Sequence, residues 1–135
     1  MKMKQSYKKL WKMIFVSIDL QNTSGGFQSF SFLFDTGAGK SELSHKTATA
    51  LGYSSKDGIR KATITTPAGK IEGYLLKIGS LKVFKKNISD FTFGVFDISN
   101  LTTENEDEID GIIGMDIISQ FKFIIDGPKQ NIKCL

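Results

Sequence analysis

The segment Phe27 to Phe34 (FQSFSFLF) constrains the fold more than any other stretch of the chain. Phe30, Phe32 and Phe34 recur at every second position, which is the period of a strand with one buried face. A helix would scatter the same residues around its circumference. The strand runs directly into Asp35-Thr36-Gly37-Ala38-Gly39, a tight loop with two glycines. An earlier alternating run precedes it. Ile14, Val16, Ile18 and Leu20 share one face of Met13–Leu20, and Gln21–Gly26 (QNTSGG) has the composition of a turn. Two successive strands joined this way open a mainly β domain.

The rest of the pattern agrees. Ser44–Leu51 (SHKTATAL) is the single helix expected in the first half, capped by Ser44 and stopped by Gly52. Ala62–Thr66 and Ile71–Ile78 flank Thr66-Pro67-Ala68-Gly69, where Pro second and Gly fourth suit a type I turn and hence a hairpin. Further strands are expected at Leu81–Phe84 and Asn87–Phe96. The closing segment Asp110–Asp126 (DGIIGMDIISQFKFIID) holds a short helical stretch, Met115–Gln120. A turn at Gly127-Pro128 and a final strand Asn131–Leu135 follow. With 11 Phe and 13 Gly against 2 Pro, the chain is rich in strand formers and turn punctuation. Its 135 residues suit one domain, expected over residues 13–135 behind a basic extension over residues 1–12.

Charge and residue inventory exclude several function classes. The net charge of +4 sits largely in Lys2, Lys4, Lys8, Lys9 and Lys12. No aromatic platform or base-reading motif accompanies these lysines, so the extension reads as a solvated tail and no nucleic-acid partner is expected. Met13–Val16 is too short for a signal-peptide core, and no stretch approaches the ~20 apolar residues of a membrane span. The expectation is a cytoplasmic protein without membrane insertion, whose sequons at Asn22, Asn87 and Asn100 carry no glycan. The single cysteine, Cys134, excludes an internal disulfide framework and a Cys-based zinc site. The single histidine, His45, excludes a His-cluster metal site. Its neighbour Ser44 forms no triad with it, because adjacent helical residues point apart. The acidic run Glu104–Glu108 lacks the alternating ligands and glycine of an EF-hand loop and reads as solvated. No metal or cofactor is expected, and carboxylates are left to carry any hydrolytic chemistry.

Two chemistries compete for the glycine-containing loop. Gly39-Lys40-Ser41 after an apolar strand imitates a phosphate-binding loop, and Phe123–Asp126 imitates its magnesium-holding strand. The first glycine of such a loop would fall at Phe34, however. The helix that follows has barely two turns, and hairpins replace the required strand–helix alternation. The other chemistry uses Asp35 itself. An apolar strand followed by Asp-Thr-Gly and a small residue brings a carboxylate to a strand end among backbone N–H groups. Ile112-Ile113-Gly114 and its helical sequel come later in the chain. With the strand pair, the Thr66–Gly73 hairpin and the closing Ile125-Asp126, the order and spacing from about Met13 onward resemble the retropepsin-like aspartic proteases. That family comprises the retroviral proteases and their single-domain cellular and bacterial relatives.

The resemblance implies a mainly β, closed barrel-like domain with a flap hairpin and one or two short helices. It implies an aspartic endopeptidase acting on extended polypeptides, with no cofactor. Asp35 would be catalytic, and a homodimer would supply the second carboxylate at a two-fold axis. Two adjacent carboxylates share a proton because both cannot ionise cheaply. Thr36, Gly37 and Ala38 would support the loop: Thr36 bonding across the axis, Gly37 leaving room for substrate, Ala38 packing behind the carboxylate. Thr66, Pro67, Ala68, Gly69 and Ile71 would belong to the flap and substrate cleft. Ile112 and Ile113 would line pockets or pack in the core, and Gly114 would permit close packing behind the Asp35 loop. Viral relatives carry acidic residues after Asp-Thr-Gly-Ala that interact with an Arg after Ile-Ile-Gly. Here Gly39-Lys40 and Met115-Asp116 stand in those stretches, so that ion pair is absent. The flap tip Pro67-Ala68-Gly69-Lys70 implies a stiffer lid than a glycine-rich one. A non-catalytic peptide-binding or dimerisation module on the same fold is the alternative.

Overall fold

In the computed structural model, which describes residues 13–99 and 108–135, the first alternating runs form β1 (Phe15–Gln21) and β2 (Phe27–Phe34). They pair antiparallel from Phe15–Leu33 to Gln21–Phe27. Ile18, Leu20, Phe32 and Phe34 are all buried, as the period of two requires. The basic extension, the sequon at Asn100 and the acidic run up to residue 107 lie outside the described residues.

The chain continues through β3 (Glu42–Ser44), α1 (His45–Ala50), a 3-10 turn at Ser55–Asp57, β4 (Arg60–Thr66), β5 (Gly69–Val83) and β6 (Lys86–Phe96). It ends with β7 (Gly111–Ile113), α2 (Met115–Ile118), β8 (Phe123–Asp126) and β9 (Asn131–Cys134). α1 begins where the sequence places it, with the Ser44 hydroxyl accepting from the Thr47 N–H at 3.0 Å. Gly52, just beyond its end, has φ +94°, a conformation glycine adopts without steric cost.

The large sheet has the order β1-β2-β7-β3-β6-β5-β4. β1 also pairs with β5, from Ile18–Val83 to Leu20–Leu81. Six strands therefore close into a barrel, and β4 extends beyond it as one arm of the β4–β5 hairpin. Closure removes the free sheet edges and leaves an interior for the alternate apolar side chains. Leu43, Leu76, Ile78, Phe93, Val95, Ile113 and Ile117 fill it with the β1 and β2 residues.

Two sequence expectations are corrected. Ile71–Ile78 and Leu81–Phe84 are parts of one strand, because the β5–β6 ladder passes from Ile78–Phe91 to Ser80–Ser89 without a slip. Gly79-Ser80 interrupts the apolar pattern but not the pairing. The turn that does follow uses Phe84 and Lys85 at φ +53° and +63°. Such a left-handed pair is the geometry of a two-residue hairpin turn, usually signalled by Asn or Gly, and neither occurs here. α2 is also shorter than the expected Met115–Gln120, ending at Ile118.

Phe84 is held in its unusual backbone by packing. Its ring meets Phe123 edge-on at 4.7 Å, and Phe123 meets Phe34 at 5.3 Å. These rings fasten the β8–β9 ribbon to the barrel. Burying a Phe side chain is worth about 1.5–3 kcal/mol, so the attachment is substantial.

Candidate active site

β2 delivers Asp35 to the barrel mouth. The Asp35 N–H donates to the Ile113 carbonyl at 3.0 Å, which seats the loop against β7. The Ala38 N–H donates to the Asp35 carbonyl at 3.2 Å and tightens the turn. The Gly37 N–H then donates to Asp35 Oδ1 at 2.9 Å. A Cβ at Gly37 would stand 3.2 Å from that same oxygen, so a larger residue would crowd the contact. Asp35 is half-buried, and its other oxygen has no partner among the described residues. Thr36 is exposed, and its hydroxyl likewise has no partner among them.

The loop is pinned from behind. The Met115 N–H donates to the Ala38 carbonyl at 2.8 Å. Ser41, fully buried, donates through its N–H and its hydroxyl to the two carboxylate oxygens of Asp116, at 3.0 and 2.6 Å. The same hydroxyl accepts from the Gly114 N–H at 2.9 Å. A Cβ on Gly114 would meet the Lys40 carbonyl at 2.7 Å and the Ala38 oxygen at 2.8 Å, contacts only glycine allows. Ser41 and Asp116 thus join the segment after the Asp35 loop to α2 through a single charge. From the sequence, Ser41 enters only the rejected phosphate-binding loop and Asp116 only the stretch beside Met115, and neither is given this role. The available signal was a short polar residue following the Asp35 loop and a carboxylate two places after Gly114.

The hairpin expected around Thr66–Gly69 forms between β4 and β5. Thr66 and Gly69 close the β4–β5 hairpin, with the Thr66 hydroxyl donating to the Gly69 carbonyl at 2.8 Å. Gly69 has φ +123°, and Pro67 and Ala68 are exposed at the tip. Ile71 packs with Ile64, Ala62 and Leu33 against Phe96, Ile98 and Ile109. Ile112 and Ile113, adjacent in β7, face opposite ways. Ile113 is fully buried in the barrel core, so packing is its role within the chain. Ile112, 6% exposed, faces away from that core.

Glu42 was not singled out from the sequence. It is half-buried at the start of β3, with Ile112 and Gly94 as its strand neighbours. Burial pushes its carboxyl above the ordinary range, and the nearby Asp35 charge pushes in the same direction. No hydrogen bond or ion pair offsets this among the described residues. A carboxyl raised by folding binds its proton more tightly in the native state, so stability falls as pH rises from the usual Glu range through the raised one. Glu42→Gln is therefore expected to raise Tm at pH 7 and to leave it unchanged near pH 3, where the wild-type carboxyl is neutral in both states. Thermal melts at the two pH values check this.

His45 is exposed, its ring 6.2 Å from that of Tyr74, and Ser44 serves as the α1 cap. Among the described residues, no three His, Cys, Asp or Glu side chains are grouped to hold a metal ion. None of the helices among them is long and apolar enough to cross a membrane.

The profile of a family described as aspartyl protease matches residues 20–117. Comparison with curated protein sequences gives no match. Among solved structures, a retropepsin-like aspartic protease from Rickettsia conorii is similar at a TM-score of 0.65 and 21% identity, over 91% of this chain and 89% of that one. The EIAV protease, solved with the inhibitor HBY-793, is similar at 0.58 and 23% identity, over 82% and 89%. The retroviral protease-like domain of Ddi1 from Leishmania major is similar at 0.57 and 17% identity, over 91% and 88%. With Asp35 and Gly114 both inside the matched span, and the barrel shared with these structures, the chain belongs to the aspartyl protease family and has a retropepsin-like fold.

Proposed function

We propose that the protein is an aspartic endopeptidase whose site is a pair of Asp35 carboxylates, one from each of two copies of the chain. The observation that carries this reading is the state of Asp35. It is half-buried on a loop pinned by β7 and α2, with one oxygen held by Gly37 and the other without a partner among the described residues. Among the described residues one chain offers a single Asp on such a loop, and on this reading the second acid comes from a second copy. Two features support association. The β8–β9 ribbon exposes Ile124 at 51% on one face and Ile125 at 54% on the other, with Leu135 at 55% just beyond β9, and an isolated two-stranded sheet carrying exposed apolar residues gains by being covered. The Thr36 hydroxyl, without a partner among the described residues, is the other, available to bond across the axis.

The chemistry is general acid–base catalysis of water addition. The ionised Asp35 takes a proton from the water as its oxygen bonds to the scissile carbonyl carbon. The protonated Asp35 of the partner subunit gives its proton to the carbonyl oxygen. When the tetrahedral intermediate collapses, the C–N bond breaks and the carboxyl that took the water's proton gives it to the leaving amine. A hydroxyl of the intermediate returns its proton to the other carboxylate, which restores the pair. The β4–β5 hairpin, carrying Thr66, Pro67, Ala68, Gly69 and Ile71, closes over an extended peptide and excludes water. The peptide pairs by strand addition, with alternate side chains entering pockets. Ile112 borders those pockets.

Because one carboxyl of the pair must be ionised and the other protonated, cleavage of an unfolded protein substrate should follow a bell-shaped pH profile. Ala38 has no hydroxyl to donate to the carboxylate, so the optimum is expected at mildly acidic pH. A rate rising steadily into the alkaline range would contradict the shared-proton mechanism.

A further inference from the structure

We infer that Glu42 sets the substrate preference of this site, by pairing with a lysine or arginine side chain of the polypeptide close to the scissile bond. The inference rests on the protease reading above and adds the chemistry of what is cut. Asp35 follows β2 and Glu42 opens β3, and these two strands flank β7 on either side. Their backbones are therefore about two strand spacings apart, roughly 9–10 Å. Leu43 is fully buried in the barrel, so alternation turns Glu42 to the other face, the one shared with Ile112.

On that face a cleft of about 460 Å³ opens between β3 and the flap strands. Glu42 lines it together with Ala62, Ile64, Leu75 and Phe96. The apolar walls suit the methylene stem of a long side chain, and a carboxylate suits its cationic end. Asp116 also borders the cleft, but both its oxygens are taken by Ser41. Lys40 and Arg60 border it too, both are exposed, and neither pairs with Glu42 among the described residues. Glu42 is thus the one carboxylate of the cleft left without a partner among the described residues. A half-buried, unpaired carboxylate is unfavourable until a cation arrives, and a substrate ammonium or guanidinium relieves that cost while a neutral side chain does not.

The test is a pair of measurements on the full chain. In the first, wild type and Glu42→Gln digest a library of unfolded proteome peptides, and mass spectrometry reads the residues flanking each cut. Wild type should favour Lys or Arg at one flanking position by about tenfold over neutral residues of similar length. Glu42→Gln should reduce that preference to about twofold or less, and Glu42→Lys should shift it toward Glu and Asp. Cuts that depend on Asp35 but show no basic preference, or an unaltered one in Glu42→Gln, would overturn the assignment while leaving the protease reading in place. In the second, Asp35→Asn binds a fluorescent peptide with a non-cleavable hydroxyethylene link, carrying either lysine or norleucine beside it. Tighter binding of the lysine peptide that disappears in Asp35→Asn/Glu42→Gln supports the cleft assignment even where no cleavage occurs. Equal binding of the two peptides overturns it.

Discussion

An Asp35→Asn protein is expected to lose peptide cleavage by about 10³-fold or more while keeping its fold and its association state. The substitution preserves shape, and the amide oxygen of Asn can still accept the Gly37 N–H that Asp35 Oδ1 accepts at 2.9 Å. The seat of the loop on the Ile113 carbonyl is untouched, because it uses the backbone. What disappears is a group that can take and return a proton. Peptide cleavage followed by chromatography, beside sedimentation of both proteins, checks both halves of the expectation. Undiminished cleavage would remove Asp35 from the chemistry and with it the proposed function.

The second large effect concerns stability. Asp116→Ala should destabilise the fold by about 2–4 kcal/mol, because it strands two donors of a fully buried Ser41 at about 1–3 kcal/mol each. That is a large share of the ~5–15 kcal/mol that holds a domain folded. It corresponds to a Tm drop on the order of 10 °C. Asp116→Asn, which keeps one acceptor oxygen, should lose less. Since Ser41 also receives the Gly114 N–H, and Gly114 lies against the backbone of the Asp35 loop, activity should fall along with stability. Denaturant titrations of the two variants measure the difference. A loss below about 1 kcal/mol for Asp116→Ala would show that the Ser41–Asp116 link does not hold the loop.

How much of this was legible in the residues depends on whether the signal was local. The alternation of Phe30, Phe32 and Phe34, the Ser44 cap and the Pro67-Ala68-Gly69 tip each state their structure within a few positions, and each appears as expected. The Asp35 loop and Ile112-Ile113-Gly114 are also visible, because Gly37 lies against the Asp35 carboxylate and Gly114 answers to backbone contacts that no other residue allows. The Phe84-Lys85 turn was hidden, since a left-handed pair without Asn or Gly is imposed by tertiary packing on Phe34 and Phe123. Gly79-Ser80 misled for the converse reason: a polar pair resembles a turn, yet the ladder to β6 carries it straight through. Ser41, Glu42 and Asp116 acquire meaning only when β7 brings distant segments side by side. The partner for Asp116 lies 75 positions away, beyond the reach of any periodicity.

If one chain holds half of an active site, activity depends on which chains pair, and mixing two kinds of chain exposes that dependence. A fixed amount of wild type is allowed to exchange subunits with an equal amount of Asp35→Asn, and peptide cleavage is followed. Random pairing leaves about half of the wild-type chains in wild-type pairs, so activity should fall to about half and keep falling as more variant is added. Cleavage that stays constant whatever amount of Asp35→Asn is present, after exchange is complete, would mean that each chain works alone, and would contradict the shared site.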